Sequence, residues 1–402
     1  MPKPVQAAIT LGCTVVLLLL LLMARPFLVA SEALDALFGV PPKWTQVEDV
    51  YKNSYTQEVT RGDDPVGSLQ VLAGFWGSRP NDTRVLFVGN SQMHVISLAR
   101  GEARPTGIEK TYVDQIADRL TMDSPQIRTY RFSTSGMSYP EVLWELLYMT
   151  GKPELHPDAM VLQLNYQAFW TGGIRESLLG LLDDEAFRRR IETAASANKA
   201  YSAEFQDALH RYEDSKSTRV AARTANNGVA ATFSASATPG YAIETAVRSV
   251  LDRSVLFRGR RDHKNDIADF LYRCRLYFLR LKPSTARSVT GARLFISRAA
   301  VEDVVKLAHE EKVQLFLFSA PVNPLVSLYR TPDDRASYQE FVAKVAAENG
   351  GPLYDFEDTI TADHWGNLLN GPDPLHMGRA AHALMAQEMY AKIPLNQIKG
   401  TR

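Results

Sequence analysis

The feature that most constrains the fold is a regular alternation of apolar and amphipathic segments. Apolar segments rich in β-branched and aromatic residues, ending in polar residues or proline, lie at 84–89, 158–166, 313–324 and 351–358. Segments with helical spacing lie at 299–312, 334–350 and 378–393. Short apolar segments are typical of strands buried on both faces, and their alternation with helices predicts a parallel sheet with helices on both sides. We therefore predict an α/β fold, a three-layer sandwich around a mostly parallel sheet.

The first apolar segment ends in a small polar turn, Gly-Asn-Ser, at 89–91. Residues 91–102 then show helical spacing. In open α/β sheets, ligand sites lie beyond the carboxyl ends of the strands. A serine between a strand and a helix has its backbone N–H where that group can face a developing oxyanion. The turn therefore predicts a nucleophilic Ser91, with a tight turn of no chemical role as the alternative.

A nucleophilic serine needs a base, and the base needs an acid that orients it. Asp373 and His376 are three residues apart in a proline-containing segment directly before the last predicted helix. A loop at this place puts both side chains at the same edge of the sheet as Ser91. Two other histidines compete for the role of base. His94 follows Ser91 closely, and we favour a packing role for it, whereas the Asp-His pair at 363–364 is a second candidate dyad in a predicted loop.

These motifs resemble the sequence blocks of the SGNH, or GDSL-type, hydrolase superfamily, in particular its membrane-anchored DltD- and AlgJ/AlgX-like members. GNSQ (89–92) is similar to the first block, and DPLH (373–376) is similar to the last. STSGMS (133–138) and LQLNYQAF (162–169) fit the two middle blocks. The resemblance covers about residues 82–395, with an insertion between the blocks.

The resemblance implies a catalytic triad. In it Ser91 is the nucleophile, His376 is the general base and Asp373 orients the imidazole. Asn90 stands where the family usually has an aspartate, but that aspartate is not the catalytic acid, so the triad is unaffected.

The resemblance also implies an oxyanion hole. Its donors are the backbone N–H groups of Ser91 and Gly136 and the side amide of Asn165. The usual G-x-N-D sequence of the third block is absent, and Gln167 is therefore a rival to Asn165.

The N-terminal segment carries no charge from Pro4 to Ala24. About 20 apolar residues are enough to cross the hydrocarbon core of a membrane as a helix. We predict an uncleaved transmembrane anchor at 1–30, a stalk or cap at 31–80 and a catalytic domain at 81–402. This places the globular part in the periplasm, outside the inner membrane. The alternative is a cleaved signal peptide.

Residues 171–290 interrupt the alternation and predict a helical insertion. Arg258, Arg260 and Arg261 lie there, close before several aromatic residues. Guanidinium groups pair with carboxylates or phosphates, so these arginines are candidates for binding an anionic or sugar-bearing polymer. A lid helix with solvated arginines is the other interpretation.

Composition excludes several functional classes. The chain has 45 basic and 45 acidic residues and no basic stripe with interleaved aromatics, so nucleic-acid binding is not predicted. Its two cysteines, Cys13 and Cys274, exclude a disulfide framework and a cysteine-rich zinc site. We predict neither a metal nor a cofactor.

The resemblance implies a serine acyl-ester hydrolase or O-acyltransferase acting on an acylated extracytoplasmic glycan or cell-envelope polymer. A multi-span membrane O-acyltransferase is the implied partner. Two alternatives stay open. One is a non-catalytic assembly or glycan-binding factor of a polysaccharide-modification complex, and the other is a lipid or thioester esterase.

Overall fold

The computed structural model describes residues 50–52, 59–61, 65–97, 110–134, 136–169, 172–230, 291–326, 331–368 and 371–398, together with Tyr329 and Gly400. The strands of this part of the chain are β1 (Val50–Lys52), β2 (Val59–Arg61), β3 (Thr83–Gly89), β4 (Ile127–Ser133), β5 (Ala159–Leu164), β6 (Gln314–Ser319), β7 (Leu353–Asp355), β8 (Trp365–Leu368) and β9 (Gly371–Met377).

The α-helices of the described residues are α1 (Pro65–Gly77), α2 (Tyr112–Asp123), α3 (Tyr139–Thr150), α4 (Glu185–Ala197), α5 (Lys199–Ala230), α6 (Ala292–Glu310), α7 (Pro332–Glu348) and α8 (Arg379–Lys392). Short 3₁₀ helices lie at Ser91–Met93, Tyr166–Phe169, Glu176–Asp183, Ala362–His364 and Leu395–Gln397.

The central sheet has five parallel strands in the order β4-β3-β5-β6-β7. Side chains alternate between its faces, and each face has its own apolar core. On β3, Leu86 and Val88 belong to the larger core, whereas Val85 and Phe87 belong to the smaller one. Helices α2 and α8 cover the smaller core, and α1, α3, α4, α5, α6 and α7 cover the larger one. The predicted α/β fold with a mostly parallel sheet is confirmed.

The strand β4 was not predicted, because charged residues interrupt its apolar pattern. Arg128 and Arg131 lie within it, and each is paired with an acid: Arg128 with Asp82, directly before β3, and Arg131 with Asp114 of α2. Arg131 Nη1 lies 3.0 Å from Asp114 Oδ2, and the arginine side chain is 3 % exposed. A buried charge is tolerated when it is paired in this way.

Helix α1 was also not predicted, because the turn-forming residues around it obscure its period. It buries Leu69, Leu72 and Trp76 in the larger core, next to Tyr130 of β4. The segment 65–77 is therefore packed against the sheet.

The segment that carries Asp373 and His376 differs from the predicted loop. It forms β9, which pairs antiparallel with β8 in a two-stranded sheet. The backbone N–H of Ser97, from the chain segment after Ser91, donates to the carbonyl of Met377 at 3.0 Å. This bond ties the β8–β9 hairpin to the segment that follows β3.

The predicted helix after β3 is wrong over residues 91–97. Only a single 3₁₀ turn, Ser91–Met93, follows the strand; residues 95–97 have no regular secondary structure, and Ser97 bonds the hairpin. The β-branched Val95 and Ile96 are buried there, which fits the low helical preference of such residues.

Some predictions fall on residues outside this description. The proposed anchor at 1–30 and the section 231–290 of the proposed insertion, with Arg258, Arg260 and Arg261, lie there. Between residues 172 and 230 the chain forms a 3₁₀ helix followed by α4 and α5. Of the helices that are described, none has the length and apolar character needed to span a membrane.

Candidate active site

Three of the predicted site residues follow three adjacent strands. Ser91 follows β3, Gly136 follows β4 and Asn165 follows β5. Because the strands are parallel, their carboxyl ends meet at one edge of the sheet. The sheet order, with β3 between β4 and β5, puts Ser91 between the other two.

The turn that carries Ser91 is shaped by its two preceding residues. The Asn90 side chain accepts a hydrogen bond from the Gln92 backbone N–H at 3.0 Å, which caps the 3₁₀ turn. A Cβ at position 89 would overlap Gln163 Oε1 and lie 2.6 Å from Met93 Cε. Glycine is therefore required at position 89, because the buried Gln163 side chain of the neighbouring strand β5 passes close to the backbone.

The imidazole of His376 contacts the serine hydroxyl. Its Nε2 lies 2.9 Å from Ser91 Oγ, and its Nδ1 lies 3.0 Å from Asp373 Oδ2. The three side chains thus form one hydrogen-bonded chain. The His376 side chain is 11 % exposed, so the pair is shielded but reachable from one side.

Asp373 is held by its own chain. Its Oδ1 accepts the backbone N–H groups of Leu375 at 2.8 Å and His376 at 3.0 Å. Burial alone raises the pKa of Asp373, but the positive charge that His376 carries when it is protonated, together with the hydrogen bonds from His376 Nδ1 and the two backbone N–H groups, outweighs burial and holds the pKa below its ordinary value. The ionised carboxylate can only accept, so the His376 Nδ1 carries the proton and its Nε2 is free to accept from Ser91.

A further residue anchors this acid, and sequence reasoning missed it. The side amide of Asn323, which follows β6 and is 1 % exposed, donates from Nδ2 to the carbonyl of Asp373 at 2.8 Å. Its Oδ1 accepts the Leu325 N–H at 2.9 Å. Asn323 lies near the end of the apolar segment 313–324, and its position after a parallel strand of the sheet is the signal that points to the site.

Asn165 is tightly placed. The Tyr139 hydroxyl accepts from the Asn165 backbone N–H at 2.8 Å and lies 3.2 Å from the carbonyl oxygen of the same residue. The Asn165 side amide donates from Nδ2 to Gln92 Oε1 at 3.0 Å. A primary amide has two N–H bonds, so a second donation remains open to it. Gln167, the rival donor, uses its backbone N–H to bond Asn165 Oδ1.

Gly136 is exposed and lies in a turn with φ of +67°. No atom lies within 4 Å of where its Cβ would be, so conformation rather than space accounts for glycine here.

The competing histidines have other partners. His94 is 2 % exposed, and its Nδ1 lies 2.9 Å from Ser133 Oγ in the interior. His364 contacts Asp363 at 3.3 Å and Thr361 Oγ1 at 2.8 Å near the surface. It is therefore His376, and neither of these residues, whose imidazole contacts Ser91.

Sequence reasoning also missed His382, which is fully buried on α8. Its Nδ1 accepts the Tyr112 backbone N–H at 3.1 Å, and its Nε2 lies 3.2 Å from the Val95 carbonyl. Burial lowers the pKa of His382 to about 3, so the ring is neutral at ordinary pH. The ring links α8, which follows the His376 strand, to the segment after Ser91.

Comparison with known proteins gave matches to solved structures only. No family model matches the chain, and no curated protein does. The acetylxylan esterase Axe2 from Geobacillus stearothermophilus matches with a TM-score of 0.36 and 12% identity, covering 80% of this chain and 98% of that one. TesA matches with a TM-score of 0.34 and 13% identity, covering 78% and 99%. An aryl esterase from M. smegmatis matches with a TM-score of 0.34 and 9% identity, covering 78% and 98%. Similarity this weak transfers no activity, so chemistry is inferred from the geometry of the site.

Proposed function

We propose that the chain is a serine acyl-ester hydrolase or O-acyltransferase. One observation carries the proposal: Ser91, His376 and Asp373 form a continuous hydrogen-bonded chain at the carboxyl edge of the sheet. A serine, a base and an acid in this order activate a hydroxyl that is otherwise a weak nucleophile. The hydroxyl is half-buried, and the adjoining strand ends supply polar groups.

The reaction has two halves. In the first, the Ser91 proton moves to His376 Nε2 while Oγ attacks the acyl carbonyl carbon, and the bond from that carbon to the alcohol oxygen breaks. The alcohol leaves with the proton from His376, and the acyl group stays on Ser91. In the second half, water or an acceptor hydroxyl gives its proton to His376 while its oxygen attacks the acyl carbon. The bond from that carbon to Ser91 Oγ then breaks, and His376 returns the proton to Oγ. Water gives hydrolysis, and an acceptor hydroxyl gives transfer.

The oxyanion of each tetrahedral intermediate is held by the backbone N–H groups of Ser91 and Gly136 and by the Asn165 side amide. Placement of these residues after three adjacent strands supports this assignment. Fixed donors of this kind stabilise charge as it develops, and removal of one donor typically costs about 10²–10³-fold in kcat.

The family and setting follow from the sequence motifs. We assign the chain to the SGNH superfamily, among its membrane-anchored DltD- and AlgJ/AlgX-like members, acting on an extracytoplasmic glycan or envelope polymer beside a multi-span membrane O-acyltransferase. The uncharged segment from Pro4 to Ala24 supports attachment to the inner membrane with the globular part in the periplasm. The test is fractionation: the intact chain stays in membranes after carbonate washing, and release into the wash contradicts the anchor.

The substrate polymer is bound in part by Arg258, Arg260 and Arg261. Their charges, close to aromatic residues in the sequence, suit a polymer that carries carboxylates or sugar rings. Replacing all three with alanine slows reaction on an acylated polymer and leaves hydrolysis of a small acetyl ester nearly unchanged. Equal losses on the two substrates contradict the assignment.

Turnover of p-nitrophenyl acetate tests the activity itself. The Ser91→Ala variant keeps the wild-type circular dichroism spectrum and loses at least about a thousandfold in kcat/KM. Comparable turnover by a folded Ser91→Ala variant contradicts the proposal.

A further inference from the structure

Gln163 is a polar residue near the carboxyl end of an otherwise apolar, fully buried strand. It lies on β5 between Leu162 and Leu164 and is 3 % exposed. Burying a primary amide is unfavourable unless its polar atoms are hydrogen-bonded. Its Oε1 accepts the Asn90 backbone N–H at 3.0 Å, and its Nε2 donates to Gln92 Oε1 at 2.8 Å. Both partners are the residues that flank Ser91.

The orientation of each amide in this network is fixed by backbone groups. The Asn90 N–H can only donate, so it must face the oxygen of Gln163, whose NH₂ group then faces Gln92. The oxygen of Gln92 therefore faces Gln163, and its own Nε2 donates to the carbonyl of Pro321 at 3.1 Å. A flip of either amide places like groups against each other, so the network has one arrangement.

Asn165 joins the same network through the same acceptor. Its Nδ2 donates to Gln92 Oε1 at 3.0 Å, and its Oδ1 accepts the Gln167 N–H at 2.8 Å. One oxygen of Gln92 therefore accepts from two buried amides of β5 and its following turn. The residues on both sides of Ser91 and the proposed third oxyanion donor are connected by hydrogen bonds through Gln163 and Gln92.

We infer that Gln163, acting through Gln92, is a positioning residue that fixes the Ser91 turn relative to the Asn165 side amide. This inference rests on the proposed function for its catalytic consequence. The close approach of Gln163 to Gly89 supports it, because Gln163 Cβ would lie 2.9 Å from a Cβ at that glycine. The amide is packed against the turn as well as hydrogen-bonded to it, so displacement of one moves the other. A displacement of about 1 Å at a reacting group is enough to cost about 10²-fold in rate.

The first test is steady-state kinetics on p-nitrophenyl acetate. Gln163→Met keeps the length of the side chain and removes both of its hydrogen bonds. We expect its kcat to fall about 100-fold, with KM changed by less than about twofold, because the reacting groups lose alignment while access to the site is unchanged. The matched control is Leu162→Ala on the same strand, which points into the larger core, with its loss in Tm measured alongside.

Gln92→Met reaches the same network from the other end and replaces Gln163→Met if that variant does not fold. Gln92→Met should likewise lower kcat strongly and leave KM nearly unchanged. Retention of wild-type kcat by the folded Gln163→Met or Gln92→Met variant overturns the inference. So does an equal loss of kcat in Leu162→Ala at a matched loss in Tm, because that result assigns Gln163 a purely structural role.

The second test does not depend on turnover. Amide hydrogen exchange at Asn90 should be at least about tenfold faster in Gln163→Met than in Leu162→Ala, because only the first variant removes the acceptor of that N–H. Unchanged exchange at Asn90 overturns the inference. If the wild-type chain hydrolyses no ester, the proposed function fails, and exchange at Asn90 still decides whether Gln163 holds the turn.

Discussion

The Nε2 atom of His376 lies 2.9 Å from the Oγ atom of Ser91 across 285 residues of sequence. The two residues belong to different sheets, since Ser91 follows β3 of the central sheet and His376 lies on β9 of the small hairpin. The hairpin is joined to the Ser91 segment by the bond from Ser97 N–H to the Met377 carbonyl, and α8, which follows the hairpin, contacts the same segment through His382 and Val95. Alignment of the pair therefore depends on how the hairpin packs against the segment after β3.

Replacement of Asp373 by asparagine should leave the fold in place and reduce kcat by about 10⁴-fold. The Leu375 and His376 backbone N–H groups must still bond an oxygen, so the asparagine NH₂ group faces the imidazole. His376 Nδ1 then has to accept, and the ring proton moves to Nε2, where it blocks transfer from Ser91. Steady-state kinetics on p-nitrophenyl acetate measure the loss in kcat. If the kcat of Asp373→Asn stays within tenfold of the wild-type value, Asp373 does not orient His376 for catalysis.

The identity of the base is tested by a pair of histidine variants. His376→Ala should lower kcat/KM by at least about 10³-fold, because it removes the partner of the Ser91 hydroxyl. His364→Ala is the matched control. It also removes an imidazole with an acidic neighbour, Asp363, and His364 directly precedes β8 of the hairpin that carries His376. The assignment is wrong if His364→Ala is the more damaging of the two.

The buried His382 should make stability depend on pH. Its pKa is lowered from 6.5 to about 3 in the folded state, so the unfolded chain binds a proton that the folded chain does not over the interval between these values. The contribution of the neutral His382 to the free energy of unfolding is therefore complete above about pH 6.5. It declines as the pH falls below that value, by up to about 1.4 kcal/mol per pH unit. Urea unfolding at several pH values between about 4 and 7 measures the slope.

His382→Gln should have a shallower slope than the wild-type protein over that interval, because glutamine does not titrate. All other groups are common to both proteins, so the difference between the slopes isolates His382. Parallel slopes would show that His382 is not held neutral by burial.

A pair of glycine variants tests the packing of the hairpin. A Cβ at Gly366 on β8 would overlap the Ser97 side chain and lie 3.1 Å from the Ser97 carbonyl carbon. Gly366→Ala should therefore lower both the free energy of unfolding and kcat. Gly74→Ala is the control, because that position is exposed in α1 and a Cβ there would meet no other part of the chain within 4 Å. Alanine at position 74 should raise the free energy of unfolding by about 0.5–1 kcal/mol.

Thermal unfolding and ester turnover are measured on the same preparations of both variants. Equal stability changes in Gly366→Ala and Gly74→Ala would mean that Ser97 moves aside at no cost. A wild-type kcat in a destabilised Gly366→Ala variant would mean that hairpin packing does not set the alignment of the site.

The sequence was sufficient for the parts of the fold that depend on burial alone. β3, β5 and β6 are predominantly apolar segments, and that pattern is sufficient to predict a strand buried on both faces. β4 was missed because Arg131 is paired with Asp114 from α2, and such a pairing exists only after folding.

In the site, too, features that depend on local sequence were predictable, and features that depend on contacts between distant residues were not. The spacing of Asp373 and His376 was predictable because the carboxylate folds back onto the N–H groups of the next residues in sequence. Asn323 and Gln163 were not, since each contacts a residue that is distant in sequence, Asp373 for the first and Asn90 for the second. A polar residue within or just after a buried strand is the signal that would have indicated both.

The most direct measurement is labelling of the folded wild-type protein with a fluorophosphonate, with the modified residue identified by mass spectrometry. Such reagents bond to a serine whose proton is removed by a neighbouring base, so the reaction reports the Ser91–His376 pair without knowledge of the substrate. We predict a single phosphonylated residue, Ser91, with no label in Ser91→Ala and much slower labelling in His376→Ala. Modification of Ser91→Ala at the wild-type rate, or a folded wild-type protein that takes up no label, would contradict the central claim.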